Sequence, residues 1–205
     1  MKWIYSLLLG YLLGSLSPSA LLAKVKKVNL KAEGTKNLGA SNTMLVLGKV
    51  YGALVMVFDI AKGYAASKIA KVLFPGLAVA SLLAGLGAVI GHVFPFYLKF
   101  KGGKGLAAFG GMVMAYNPWY FVALLCFGLI LMVIANCSYV MPMSAAALFP
   151  ILVLLQSGNI LFTLLALAAS VLIVIKHWSN IEKGRSGKDL HIRNFIKGLF
   201  TRKSK

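Results

Sequence analysis

Phe94-Pro95-Phe96-Tyr97-Leu98-Lys99-Phe100-Lys101-Gly102-Gly103-Lys104-Gly105 stands where one long apolar run, residues 77–98, gives way to another, residues 105–135. Its last seven residues hold three lysines and three glycines. Glycine lets successive backbone N–H groups converge on one point, and lysine adds positive charge there, which suits a phosphate. A lysine-rich loop also holds a membrane protein in one orientation, because such loops stay in the cytoplasm. On this stretch alone both readings stand. What surrounds it decides the fold.

The chain has 205 residues, 60% of them hydrophobic and only 13% charged, with a mean hydropathy of +0.84. Soluble domains are roughly a quarter charged, so this composition describes an integral membrane protein. Asp59, Asp189, Glu33 and Glu182 are the only acidic residues against 22 lysines and arginines, a net charge of +18. Such a charge suits nucleic acid, but its distribution does not. The basic residues cluster at the ends of apolar runs, where anionic headgroups and anionic substrates are the fitting partners. No hydrophilic segment is long enough to fold as a second domain, so residues 1–205 are read as one polytopic unit. Cys126 and Cys137 sit in or at the end of apolar segments with no Cys or His at metal-binding spacing, which leaves them a packing role.

Outward from the opening stretch, further apolar runs cover residues 3–23, 50–72, 139–155 and 159–177, and residues 40–48 form a short helix. Lys2 and Ser17-Pro18-Ser19-Ala20 imitate a cleaved signal peptide. The basic Lys24, Lys26 and Lys27 that follow oppose export, so residues 3–23 are read as a retained helix. Residues 105–135 exceed the roughly 20 that cross a bilayer. Asn117-Pro118 divides them into helices at 105–116 and 119–135.

Parity agrees with that division. The first loop, the 99–104 loop and the tail from about 178 to 205 are strongly basic and belong on the cytoplasmic side. An even number of crossings must separate each pair, which gives about seven transmembrane helices, the N-terminus outside and the C-terminus cytoplasmic. Lys68 and Lys71 then lie near an outer helix end, where they snorkel.

Several polar groups lie among the apolar runs. Asp59 and Lys62 fall at i, i+3 on one helix face, and charges at membrane depth are paired or functional. A buried ion pair that fixes helix packing explains both. His92, two residues before Phe94-Pro95, is either a packed residue or part of a polar pocket. His177 and Asn180 share a face at the end of the last helix, on the same side as Gly34–Thr43 and Gly102–Gly105. No Walker A loop, nucleophile elbow or His-Glu-x-x-His motif occurs. The His177-x4-Glu182 spacing lacks the soluble α/β context of the acyltransferases that use such a pair.

Taken together, three elements resemble the bacterial membrane acyltransferases that acylate glycerol 3-phosphate from acyl phosphate (the PlsY type). Gly14-Ser15 with Gly34-Thr35-Lys36-Asn37-Leu38-Gly39-Ala40-Ser41-Asn42 is similar to the first motif, and Asp59-x-x-Lys62-Gly63 follows it. Gly91-His92-x-Phe94-Pro95 through Phe100-Lys101-Gly102-Gly103-Lys104-Gly105 resembles the second. His177-x-x-Asn180-Ile181 with Gly187 resembles the third. Four places depart from the family pattern. Thr35-Lys36 stands for Ser-Gly, with threonine keeping the hydroxyl, Asn29-Leu30-Lys31 for Asp-x-Arg, Leu45 for an arginine and Asp189 for a glutamate.

The resemblance implies a multi-pass protein of a bacterial cell membrane with its site at the cytoplasmic face. The substrates would be acyl phosphate and glycerol 3-phosphate, with membrane lipids around the helices and no metal or cofactor. Lys104 and the Gly102, Gly103 and Gly105 backbone would hold phosphate. Thr35, Asn37 and Asn180 would position substrate, with Gly34, Lys36, Gly39 and Asn42 in the same binding segment. His177 would orient the hydroxyl or the carbonyl. A transporter of a small phosphorylated anion and an inactive relative that binds lipid phosphate are the competing functions.

Overall fold

The computed structural model describes residues 1–186. Gly187 and Asp189 of the sequence motifs, and the rest of the basic tail, lie outside the described residues. Within them the chain forms nine α-helices: α1 Lys2–Ser15, α2 Pro18–Val25, α3 Ala40–Leu47, α4 Lys49–Leu73, α5 Ala80–Val93, α6 Leu106–Tyr116, α7 Pro118–Ala135, α8 Val140–Ser157 and α9 Ile160–Arg185. A single 3-10 turn, Phe96–Leu98, follows α5. Five spans have the length and apolarity to cross a membrane: α1 with α2, α5 with its 3-10 turn, α7, α8 and α9. The 25-residue α4 buries Asp59 and Lys62 within its length, and α6 is shorter.

Most expected boundaries hold to within two residues, and their causes are local. Asn117 caps α7 by accepting from the Trp119 N–H at 2.9 Å, with Pro118 at the first helical position. Three expectations are corrected. The 77–98 run is α-helical only over Ala80–Val93, with Pro95 and the 3-10 turn following. Residues 3–23 are not one helix, because Pro18 has no N–H to donate to the carbonyl a turn back and its ring crowds that carbonyl. So α1 stops at Ser15, and Ser17 starts α2 by accepting from the Ala20 N–H at 3.3 Å. The last helix does not end at 177 either. It continues to Arg185, so the basic segment begins as helix.

Small residues set the helix packing. On α1, a Cβ at Gly10 would lie 2.0 Å from the Ala84 carbonyl oxygen, and one at Gly14 would lie 2.1 Å from that of Ala88. On α5, Gly87 and Gly91 face the carbonyls of Leu7 and Tyr11 just as closely. Ser6 Oγ donates to the Ala80 carbonyl at 2.7 Å, so the register rises on both helices together and α1 runs parallel to α5. The same interlock joins α4 to α6, through Gly63 against Ala108 and Gly111 against Ile60. Lipid is as apolar as leucine, so close backbone approach has to supply the contact that water exclusion supplies in soluble proteins. A second, aromatic core joins α6, α8 and α9 around Phe109, Phe149 and Ile173, with the two phenylalanines edge to face at 5.4 Å.

Gly14→Val would force the α1–α5 backbones apart and cost about 1–3 kcal/mol, the usual toll of overpacking. A thermal melt in detergent should show the midpoint falling. Gly76→Ala is the matched control and should leave it unchanged, because its Cβ would meet only Lys2 Nζ at 3.8 Å.

Candidate active site

The end of the bundle where α5 and α9 finish and α6 begins collects the polar residues. Gly102 and Gly103 fold back along the last turn of α5, the first donating its N–H to the Val93 carbonyl at 3.0 Å and the second to the His92 carbonyl at 3.1 Å. Those carbonyls are orphans of the helix end and need donors. The expected convergence of the Gly102 and Gly103 N–H groups on a phosphate is therefore corrected: both are committed to α5. Their glycine character serves close approach instead. A Cβ on Gly102 would lie 2.1 Å from the His92 oxygen, and one on Gly103 would lie 2.2 Å from His92 Nε2 and 2.4 Å from the Leu38 oxygen. Gly105 turns the chain into α6 at φ +89°, a left-handed conformation that favours glycine.

What this strap delivers is Lys104. Its Nζ donates to Asn180 Oδ1 at 2.5 Å, which joins the start of α6 to the end of α9. One turn back on α9, the buried His177 donates Nδ1–H to the Ile173 carbonyl at 2.9 Å. That bond puts the proton of the neutral ring on Nδ1 and the lone pair on Nε2. An ammonium, a carboxamide and an imidazole of defined tautomer thus stand together at the N-terminus of α6, where the helix dipole favours an anion.

The 34–43 segment reaches this strap through the Leu38 carbonyl beside Gly103. Its own architecture rests on Asn42, fully buried, which accepts from the Thr35 N–H at 2.6 Å and donates to the Leu30 carbonyl at 2.8 Å. Gly34 takes φ +59°, and a Cβ there would lie 2.3 Å from Asn42 Oδ1. Lys36 takes φ +59° as well, so lysine adopts here a backbone that a glycine would take without strain. Gly39 starts α3 and accepts from both the N–H and the Oγ1 of Thr43 at 3.0 Å. Asn37 lies half-buried beside it, while Thr35, Lys36 and Leu45 are exposed. Asn42 thus shapes the segment, and Thr35 and Lys36 are its outward-facing groups.

A third cluster lies behind the strap. Asp59 and Lys62 of α4 form the buried ion pair expected from their spacing, at 2.6 Å. Lys62 Nζ also donates to the Leu16 carbonyl at 2.6 Å, inside the break between α1 and α2. The buried His92 places Nδ1 3.3 Å from the same Asp59 oxygen. The Tyr97 hydroxyl donates to the Ser15 carbonyl at 2.8 Å and accepts from the Ser17 N–H at 3.0 Å, spanning the same break. Sequence reasoning missed Leu16 and Tyr97. The only signal was Pro18, whose position opens backbone groups that something must satisfy.

Similarity to known proteins runs through the whole unit. The family described as glycerol-3-phosphate acyltransferase matches residues 4–187. The chain belongs to the glycerol-3-phosphate acyltransferase family. A glycerol-3-phosphate acyltransferase of Thermosipho melanesiensis is 35% identical over 92% of each chain, and one of Streptococcus sanguinis is 34% identical over 92% of this chain and 91% of its own. Among solved structures, the integral membrane glycerol 3-phosphate acyltransferase PlsY (YgiH) in its glycerol 3-phosphate form superposes with a TM-score of 0.85 at 28% identity, over 92% of this chain and 94% of that one. Its lysophosphatidic acid form gives a TM-score of 0.83. Membership in the glycerol-3-phosphate acyltransferase family thus covers the strap, the 34–43 segment, the buried cluster and the end of α9 alike.

Lys62→Met would leave Asp59 charged and buried beside His92 alone, a loss of about 3–5 kcal/mol. Asp59→Asn added to Lys62→Met removes the uncompensated charge and should recover part of that stability, read as the unfolding midpoint in mixed detergent.

Proposed function

We propose that the protein transfers an acyl group from acyl phosphate to the sn-1 hydroxyl of glycerol 3-phosphate, releasing lysophosphatidate and inorganic phosphate for phospholipid synthesis. The observation that carries the reading is the Lys104–Asn180 bond at the start of α6, beside His177. Family membership supports the acceptor. The donor rests on the resemblance to the PlsY type.

Both substrates are phosphates, and two anions held close together need cations and dipoles already in place. Lys104 and the first turn of α6 supply them, and the positive face draws glycerol 3-phosphate in from water. The acyl chain stays between helices in the bilayer while its phosphate reaches the strap. His177 Nε2 offers a lone pair to the primary hydroxyl and orients it. Asn180 holds Lys104 and positions substrate through its amide, and Thr35 and Asn37 complete the acceptor side with Gly34, Lys36 and Gly39. The hydroxyl oxygen bonds to the acyl carbon as the carbon–oxygen bond to phosphate breaks. The departing phosphate takes the proton. The gain is proximity and charge stabilisation rather than a covalent intermediate.

This assigns the strap, the 34–43 segment and the end of α9 to the cytoplasmic face of a bacterial membrane, with seven crossings and the N-terminus outside. The run of basic residues at that end supports it. One observation favours a second reading, a relative that binds lipid phosphate without turnover. The exposed Leu45 stands where the family carries an arginine, and a lysine elsewhere does not reproduce that bidentate grip.

Purified protein in nanodiscs, supplied with acyl phosphate and glycerol 3-phosphate, should form lysophosphatidate. Lys104→Ala should lower kcat/KM by about 10²–10³, the usual effect of removing one preorganised donor. No product at any substrate level would overturn the enzyme reading in favour of the second. Equal use of acyl-CoA would overturn only the donor.

A further inference from the structure

We propose that His92 is a positioning residue that sets the location of Lys104, by forming the floor on which Gly103 rests. The proposal rests on Lys104 being the phosphate-holding cation.

His92 meets the strap twice. Its carbonyl accepts the Gly103 N–H at 3.1 Å, the rung after Gly102 donates to Val93 at 3.0 Å. Its ring meets Gly103 from the side: a Cβ there would lie 2.2 Å from Nε2. The opposite flank of Gly103 faces the Leu38 carbonyl, which the same Cβ would approach to 2.4 Å. Gly103 is thus pinched between an imidazole from α5 and a backbone carbonyl from the 34–43 segment. Lys104 is the first residue after the pinch.

The ring that forms this floor is itself held from behind. Nδ1 stands 3.3 Å from Asp59 Oδ1, the oxygen that binds Lys62 at 2.6 Å. Lys62 in turn is held to α1 by its bond to the Leu16 carbonyl. With Nδ1 turned to Asp59, the ring can only present Nε2 to the strap. His92 is 9% exposed and packed on all sides. The chain of contacts runs from the α1 break through Lys62, Asp59 and His92 to Gly103, and it ends one residue short of the ammonium. The strap residue that His92 meets is Gly103, so its effect on Lys104 is on geometry. A shift of about 1 Å in a positioned group costs up to about 10² in rate or binding. The same link accounts for a titratable ring inside an apolar helix, and for the glycine at 103.

The test uses the full chain in lipid nanodiscs, with glycerol 3-phosphate binding read by calorimetry, KM and kcat by turnover, and folding by thermal melt. His92→Leu removes the polar edge that meets Gly103 and should raise KM for glycerol 3-phosphate about tenfold, with a smaller change in kcat, as expected for a misplaced ground-state contact. His92→Gln carries its amide to about the position of Nε2, keeps a polar group against Gly103, and should return KM to within about threefold of the starting protein. An unchanged KM in His92→Leu overturns the proposal, and so does equal impairment of the Leu and Gln variants. Should His92→Leu fail to fold, His92→Asn replaces it: its amide is too short to reach Gly103, and a KM equal to that of the Gln variant overturns the proposal. Lys104→Ala is a separate arm. If it binds glycerol 3-phosphate like the unsubstituted protein, the phosphate reading fails and takes this proposal with it, a result distinguishable from normal Lys104 dependence with an indifferent His92.

Discussion

The buried pair Asp59–Lys62 is the interaction on which the remainder depends. A carboxylate and an ammonium inside an apolar bundle persist only if each charge is paired and its remaining hydrogen bonds are met. Lys62 meets one of its needs at Asp59 and another at the Leu16 carbonyl, which is free only because Pro18 interrupts the first helix. The break and the ion pair therefore solve each other's problem. An unbroken first helix would leave Lys62 without this acceptor, and an α4 without Lys62 would leave the Leu16 carbonyl without this donor. The Tyr97 hydroxyl closes the other open groups of the break, and so ties the 94–105 loop to the same point.

Helix packing brings these groups within reach. The α1–α5 and α4–α6 interlocks let backbones meet where only glycine fits, and α4 and α5 carry Asp59 and His92 to one depth. In a bilayer this contact has to come from shape, since burying leucine against leucine gains little over leucine against lipid. The outward faces of α7 and α8, with Ile130, Ile134, Ile151 and Leu155 exposed, are consistent with that solvent.

The site differs in kind from the one its letters suggest. A Lys-Gly-Gly-Lys-Gly stretch reads as a nest of N–H groups, yet two of its glycines donate to the end of α5 and lend the strap thinness rather than donors. Lys104 of the same stretch is held by Asn180 beside the start of α6. The two meanings of glycine, turning and thinness, look identical in one dimension. Only the neighbour across the gap separates them. Lys36 shows the converse, a non-glycine residue holding a left-handed backbone.

Sequence alone determined the class of the protein, most helix limits and the family, because hydropathy, proline and a long ordered motif are local properties of the chain. It also determined that Asp59 and Lys62 pair, since a spacing of three on a helix admits little else at membrane depth. Tertiary structure decided what the pairing is for. That Leu16, Asp59, Lys62 and His92 form one line ending at Gly103 depends on contacts between segments dozens of residues apart. The same holds for Asn42, which reads as a binding residue in its motif and bonds the Leu30 carbonyl and the Thr35 N–H. A side chain's type states what bonds it can make, and only the fold states which partner arrives first.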